Sequence, residues 1–344
     1  MPEVRDPEVR QPGGEPLLQV RDLTVRYASD EGPVTAVDGI SFDVGPGETL
    51  GIVGESGSGK SAASMALMGL LPRSAEVTGS VRLRGRELLG LADGRMREIR
   101  GRHIAVIFQD ALSALNPMMT VGAQLTEAVL VHHPDRTARE LRRRAEELFD
   151  LVGIASAATR LDQYPHEFSG GMRQRALIAM GIANDPDILI ADEPTTALDV
   201  TVQAQVLDVI ERVQQGTGTA VLLITHDLGV VAGLADRVMV MYAGAKLEEG
   251  PVESIFYEPA HPYTSGLLAA LPRVDRRTGR LHPIPGQPPL PHSRPAGCPF
   301  QPRCAHADPG VCSSVTSATS ATTQVSPGHT TNCVRVHEIA SVGR

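Results

Sequence analysis

The sequence predicts an α/β fold built on a parallel sheet, and three observations carry that prediction. First, an apolar segment, Thr49-Leu50-Gly51-Ile52-Val53, runs into Gly54-Glu55-Ser56-Gly57-Ser58-Gly59-Lys60-Ser61, and a helical stretch, 62–71, leaves it. Second, three short apolar runs end abruptly in polar residues: 104–108 at Gln109, 188–191 at Asp192-Glu193, and 220–225 at His226-Asp227. Strands buried on both faces give continuous apolar runs of this kind, and open α/β sheets bind ligands beyond the carboxyl ends of such strands. Third, residues 121 to about 150 follow a helical pattern with no strand signal, and read as a helical insertion into the α/β frame.

Composition narrows the classes. A chain of 344 residues allows one large domain or two smaller ones. Hydrophobic residues make up 42%, enough for a core, but aromatics are only 3% and Trp is absent, so Leu, Val, Ile and Ala must fill it. A formal charge of −8 argues against general nucleic-acid binding, which needs a basic face. No apolar run approaches the ~18 residues that span a bilayer. The first 15 residues are rich in Pro, Glu, Arg and Gly without an apolar centre, and are expected to be a disordered lead-in rather than a signal peptide. The expectation is a soluble or peripheral chain kept in the cytoplasm.

The loop from Gly54 to Ser61 has the spacing G-x4-G-K-S between strand and helix. Its glycines let the backbone curl so that several N–H groups point at one anion, and the helix N-terminus adds partial positive charge there. Lys60 can reach the β- and γ-phosphates of a nucleotide, and the Ser61 hydroxyl is placed for Mg²⁺. A site of this kind needs further parts downstream, and the sequence offers them.

Residues 17–27 alternate apolar and polar, as a half-buried strand does, and end in Tyr27, an aromatic able to stack on an adenine ring. Strands are also expected over 36–44, 48–53 and 77–84. Gln109, at a strand end, can touch Mg²⁺ or an attacking water. The arginine-rich stretch 136–144 reads as a solvated helix face, diluted by Glu146 and Glu147. Ser169-Gly170-Gly171 before a helix at 172–183 repeats the anion-site design of the first loop. Asp192 is placed to hold Mg²⁺ through water, and Glu193 to polarise a water for attack on a γ-phosphate. Ala197-Leu198-Asp199 forms a turn ahead of a helix over 201–214, and His226 can hydrogen-bond a γ-phosphate oxygen.

Each of these motifs is modest alone. In this order after a phosphate loop, they make residues 17–258 resemble the nucleotide-binding subunit of an ABC transporter. The resemblance implies a Walker A loop at Gly54 to Ser61, an adenine-stacking Tyr27 and a Q-loop at Gln109. It implies a signature at Phe168-Ser169-Gly170-Gly171-Met172, with Phe for the usual Leu and Met for the usual Gln. Walker B and the catalytic acid fall on Asp192 and Glu193, the D-loop on Asp199, and the switch histidine on His226. Leu115-Asn116-Pro117, 195–203 and His261-Pro262-Tyr263-Thr264 look like the oligopeptide/dipeptide importer branch, which also holds nickel importers. The implied fold is a RecA-like P-loop NTPase core with an antiparallel β-subdomain, a helical insertion at about 115–183 and a small C-terminal domain over 259–344. The implied function is ATP hydrolysis, with ATP and Mg²⁺, driving uptake of peptides at the cytoplasmic face of the membrane. Implied partners are a second ATPase subunit, expected as a homologous different chain, two membrane permease subunits and an extracytoplasmic substrate-binding protein. In the family, two such chains pair head to tail, so Ser169 to Gly171 would serve the ATP of the partner. A nickel importer is the alternative within the branch. A soluble ABC ATPase of repair or translation is a remote one, since the sequence shows one cassette and no heptad array.

From residue 259 the composition shifts. A short helix is expected over 261–271, an irregular proline-rich stretch over 282–302, and a flexible Ser/Thr/Ala run over 313–323. Cys298, Cys304, Cys312 and Cys333 are the chain's four cysteines, spaced C-x5-C-x7-C-x20-C. Disulfides do not suit the cytoplasm, and the spacing is looser than that of common zinc sites. A [4Fe–4S] cluster, which the resemblance associates with such a tail, zinc, and free thiols stand as the three readings.

Overall fold

The computed structural model describes residues 15–29, 32–108, 114–195, 199–271, 283–290, 292–314 and 322–342. Its strands run, in chain order, β1 (Leu18–Tyr27), β2 (Val34–Val44), β3 (Thr49–Val53), β4 (Ala75–Leu83), β5 (Arg86–Glu87), β6 (Ile104–Ile107), β7 (Ile188–Asp192), β8 (Ala220–Thr225), β9 (Arg237–Tyr242), β10 (Ala245–Pro251), β11 (Thr323–Ser326) and β12 (His329–Thr331). They form two sheets. One is antiparallel, in the order β2-β1-β4-β5; the other has eight strands in the order β11-β12-β10-β9-β3-β8-β7-β6.

The large sheet explains the apolar runs. β3, β7 and β8 are buried at every position, because helices cover both faces. Burying each Val, Leu or Ile is worth about 1.5–3 kcal/mol. β3 pairs in parallel with β8 and with β9, and β7 lies in parallel between β8 and β6. The carboxyl ends of β3, β7 and β8 therefore face the same way. Helix Lys60–Leu67 follows β3 directly and packs its Ala63, Ala66 and Leu67 between the two sheets, so the phosphate loop is held at their junction.

The helical insertion is more than one helix. Pro134 has no N–H to donate and interrupts the pattern, so Val121–Leu130 and Ala138–Leu151 are separate. The second helix restarts at Thr137, whose hydroxyl accepts from Glu140 N while the Glu140 carboxylate accepts from Thr137 N at 2.8 Å, a reciprocal cap. Leu125, Leu148 and Phe149 pack with Ala176 and Ile178 of the helix Gly170–Gly181, and with Leu189 of β7. The arginine-rich face is ion-paired: Arg142 with Asp162 at 3.0 Å and Arg144 with Asp185 at 2.6 Å. Helix Val200–Thr217 closes the same core through Val206, Val209 and Ile210.

The C-terminal residues join the large sheet. β12 pairs antiparallel with β10, with Glu248 opposite Thr331, and β11 pairs with β12. Helix Pro262–Ala269 places Tyr263 in a third core beside Val53, Tyr242, Ile255 and Phe300. The expected flexible run falls largely on 315–321, outside the described residues. Among the described residues no helix is long and apolar enough to cross a membrane.

Candidate functional site

The loop after β3 takes its shape from two glycines that nothing larger could replace. A Cβ on Gly54 would stand 2.1 Å from the Met241 carbonyl oxygen; one on Gly59, at φ 99°, would stand 2.3 Å from the Ala36 carbonyl oxygen. Lys60 is buried beneath the loop, and its Nζ donates to the carbonyls of Gly54 at 2.7 Å and Glu55 at 3.0 Å. Burial pulls its pKa below the ordinary lysine value, while the carboxylates of Glu193, Asp192 and Glu55 act against that.

Asp192 ends β7 beside this loop. Its Oδ1 lies 3.3 Å from Ser61 Oγ and its Oδ2 3.3 Å from Ser64 Oγ. Burial lifts its carboxyl above the ordinary carboxylate value; the two serine hydrogen bonds and Lys60 oppose the lift, and Glu193 adds to it. A buried carboxylate and a hydroxyl side by side form an all-oxygen pair, the donor chemistry that Mg²⁺ takes. Glu193 follows in the left-handed region at φ 49°, a conformation that costs a β-carbon residue on the order of 1–2 kcal/mol. Its N–H donates to the Ile224 carbonyl at 2.8 Å, locking it to β8. His226, just past β8, brings Nδ1 to 3.3 Å from Glu193 Oε1. The loop from Glu55 to Ala62 lines a cavity of about 770 Å³ together with Ala36, Glu193, His226 and Leu267.

Expected residues thus meet at one place: the loop Glu55 to Ser61 with Lys60, then Glu193 and His226, with Asp192 against Ser61. Others lie elsewhere. Tyr27 is half-buried at the end of β1, opposite Val34 and Ala75, and does not line the cavity. Ser169 caps helix Gly170–Gly181, its Oγ accepting from Met172 N at 3.3 Å, and this exposed N-terminus is outside the cavity. Asp199 caps Val200–Thr217, its Oδ1 accepting from Thr201 N and Val202 N at 3.0 Å each. Gln109, Ala197 and Leu198 lie outside the described residues.

The site also contains residues that the sequence reading did not place there. Tyr263 OH accepts from Glu55 N at 3.0 Å, Arg303 Nη1 lies 2.8 Å from Glu55 Oε2, and Leu267 reaches the cavity wall. All three come from the C-terminal region, more than 200 residues along the chain from the loop, as the separation of 208 between Tyr263 and Glu55 illustrates. The only available signal was the motif 261–264, and it does not name a contact.

The four cysteines converge on a second, small cavity beside Phe300 and His306. Burial pushes Cys298 and Cys333 up to about 11 and raises Cys304, so these thiols hold their protons at neutral pH. Among the described residues, no group of three or more His, Cys, Asp or Glu is arranged to hold a metal ion. The donor chemistry is that of a cluster or zinc site, but the present arrangement is not a ligand set.

Comparison with known proteins agrees with this architecture. Residues 37–196 match the model of the ABC transporter family, and residues 247–312 that of the oligopeptide/dipeptide transporter C-terminal region. The chain is 54% identical over 321 residues to the oligopeptide transport ATP-binding protein OppD of Mycobacterium tuberculosis, covering 93% of this chain and 52% of that protein. It therefore spans about half the length of that relative. It is 51% identical over 321 residues to the dipeptide transport ATP-binding protein DppD of Bacillus subtilis, covering 93% of this chain and 94% of that one. The dimeric, post-hydrolysis structure of the ATP-binding cassette MJ0796 bound to ADP and Pi superposes with a TM-score of 0.61 at 25% identity, over 68% of this chain and 98% of that chain.

A phosphate loop at the carboxyl end of β3, with paired acids at the end of β7 one strand beyond β8, defines the class as an ATP-binding cassette of the P-loop NTPase fold. With its matching C-terminal region, the chain belongs to the oligopeptide/dipeptide-transport ATP-binding proteins of the ABC transporter family.

Proposed function

We propose that this chain binds and hydrolyses ATP to energise import of di- and oligopeptides through a membrane complex. The observation that carries the reading is the convergence of Lys60, Ser61, Glu193 and His226 on one cavity, with Asp192 hydrogen-bonded to Ser61 behind it. The amides of the 54–61 loop and Lys60 hold the β- and γ-phosphates, Lys60 exchanging a carbonyl partner for phosphate oxygen. Ser61, and Asp192 through water, would hold Mg²⁺, which would neutralise charge on the phosphates. Glu193 orients and polarises the attacking water, and His226 contacts the γ-phosphate from the adjacent strand end. Gln109 is assigned to the Mg²⁺ or water, and Tyr27 to the adenine.

Ser169, Gly170 and Gly171 form an open helix N-terminus away from the chain's own phosphate loop, which supports their serving the ATP of a second ATPase subunit, with Asp199 at the same junction. That subunit is expected to be a homologous different chain. An apolar groove of about 390 Å³ lined by Leu70, the exposed Phe108, Ala114 and Met180 lies at the end of β6 beside the insertion. It supports docking of the membrane permease subunits there, with the chain peripheral on the cytoplasmic face and an extracytoplasmic binding protein selecting cargo. For the four cysteines a [4Fe–4S] cluster, zinc and free thiols remain the three readings; a cluster would require the thiols to close on their cavity and lose protons. Brown, iron- and sulfide-containing protein from anaerobic purification supports the cluster; zinc or bare thiols removes it.

The test of the whole reading is Glu193→Gln. ATP binding should persist while turnover falls by about 10²–10⁴-fold, the range for a lost general base. In cells, uptake of labelled peptides should fall with nickel uptake intact. Loss of nickel uptake alone would move the cargo to a metal, and normal turnover would overturn the role of Glu193.

A further inference from the structure

The phosphate loop carries a carboxylate of its own, and that charge opposes the polyanion the loop is built to receive. Glu55 is the second residue of the loop and lines the cavity. Its counter-charge is Arg303, from the C-terminal region, with Nη1 2.8 Å from Glu55 Oε2. Arg303 is held firmly. Its side chain is only 6% exposed, which leaves little freedom to swing away. Nη1 also donates to Tyr242 OH at 3.2 Å, Nε donates to the Pro285 carbonyl at 2.9 Å, and the guanidinium lies 5.7 Å from the Tyr242 ring centre. Tyr263 OH accepts from the Glu55 amide itself at 3.0 Å. The loop's first turn is therefore gripped twice, once through its side chain and once through its backbone, by residues of another part of the chain.

We infer that Arg303 and Tyr263 are positioning residues of the nucleotide site. Arg303 neutralises Glu55 and holds its carboxylate aside from the phosphates, and Tyr263 fixes the loop backbone at Glu55. The inference rests on the ATP-site reading above. It makes the C-terminal region part of the site's electrostatics, so that ATP affinity depends on a side chain outside the cassette match at 37–196.

The test is ATP binding and steady-state turnover of the full chain, read with a fluorescent ATP analogue and by phosphate release. Arg303→Leu should weaken ATP binding and raise KM roughly tenfold or more, the scale of a lost charge-assisted hydrogen bond, with kcat at saturating ATP little changed. Adding Glu55→Gln to Arg303→Leu should restore most of the affinity, because the carboxylate that Arg303 neutralised is gone. Tyr263→Phe, which keeps the ring packing, should raise KM a few-fold. Should Arg303→Leu fail to fold, Arg303→Gln with and without Glu55→Gln gives the same comparison. Wild-type affinity in the arginine variants, or no recovery on adding Glu55→Gln, would make Arg303 a packing residue only and overturn the inference. A wild-type chain that binds no ATP would instead overturn the nucleotide reading beneath it.

Discussion

Asp192 holds a charge where burial disfavours one. Without a cation beside it, its carboxyl sits above its ordinary 3.8. A carboxyl raised on folding binds its proton more tightly in the native state. Its contribution is favourable below pH 3.8 and is lost as pH rises through the raised native value. At neutral pH, then, the buried charge weakens the nucleotide-free protein. Asp192→Asn is expected to raise the melting temperature of that form by roughly 2–4 °C at neutral pH, with the gain vanishing in acid, while abolishing the further stabilisation that Mg²⁺ and ATP together give. Scanning calorimetry at two pH values, with and without Mg-ATP, checks both halves. Stability given up at Asp192 is what a bound cation would recover.

The short polar strands at the C-terminal end depend on one side chain. Glu248 of β10 is fully buried with His329 of β12, whose Nε2 lies 2.8 Å from Glu248 Oε1. The same carboxylate accepts from Ala260 N at 2.7 Å and His261 N at 3.0 Å. It thus ties a strand, a second strand and the start of helix Pro262–Ala269. Glu248→Leu leaves three donors without an acceptor, two of them in buried hydrogen bonds, and should cost about 3–5 kcal/mol of stability, the scale of breaking a buried pair; urea unfolding measures it. This is also where the sequence was hard to read. β3, β6, β7 and β8 are legible because strands buried on both faces must be apolar throughout; β9 carries that signature too but is not among the expected strands. β11 and β12 are four and three residues long and mostly polar, and β12 is tied to β10 through the Glu248–His329 contact rather than by any local period. The break between the helices Val121–Leu130 and Ala138–Leu151 is marked in the sequence by Pro134 and the Thr137–Glu140 cap.

At the scale of the molecule, Lys60, Ser61, Asp192, Glu193 and His226 were legible because each ends a strand or opens a helix at a spacing that the chemistry fixes. Arg303 and Tyr263 were not, because their partner is distant in sequence and ordinary in type. The same long-range contacts argue against a detachable tail. β12 continues the sheet that carries the phosphate loop, and Phe300 and Tyr263 complete the core under Val53 and Tyr242. Truncation at residue 258 is expected to lower the melting temperature of the cassette and weaken ATP binding together. The intact chain should unfold in a single calorimetric transition; two separable transitions would mean that the tail stands alone.

β10 acquires its outer neighbour only from β12, and 81 residues separate Glu248 from His329. During synthesis the ribosome therefore releases a nearly finished sheet whose β10 flank stays unsealed until β12 emerges. A sheet margin left open is a template for pairing with another chain. Messages cut short after the cassette should thus yield not merely inactive protein but a sticky one, recovered with chaperones or in the insoluble fraction.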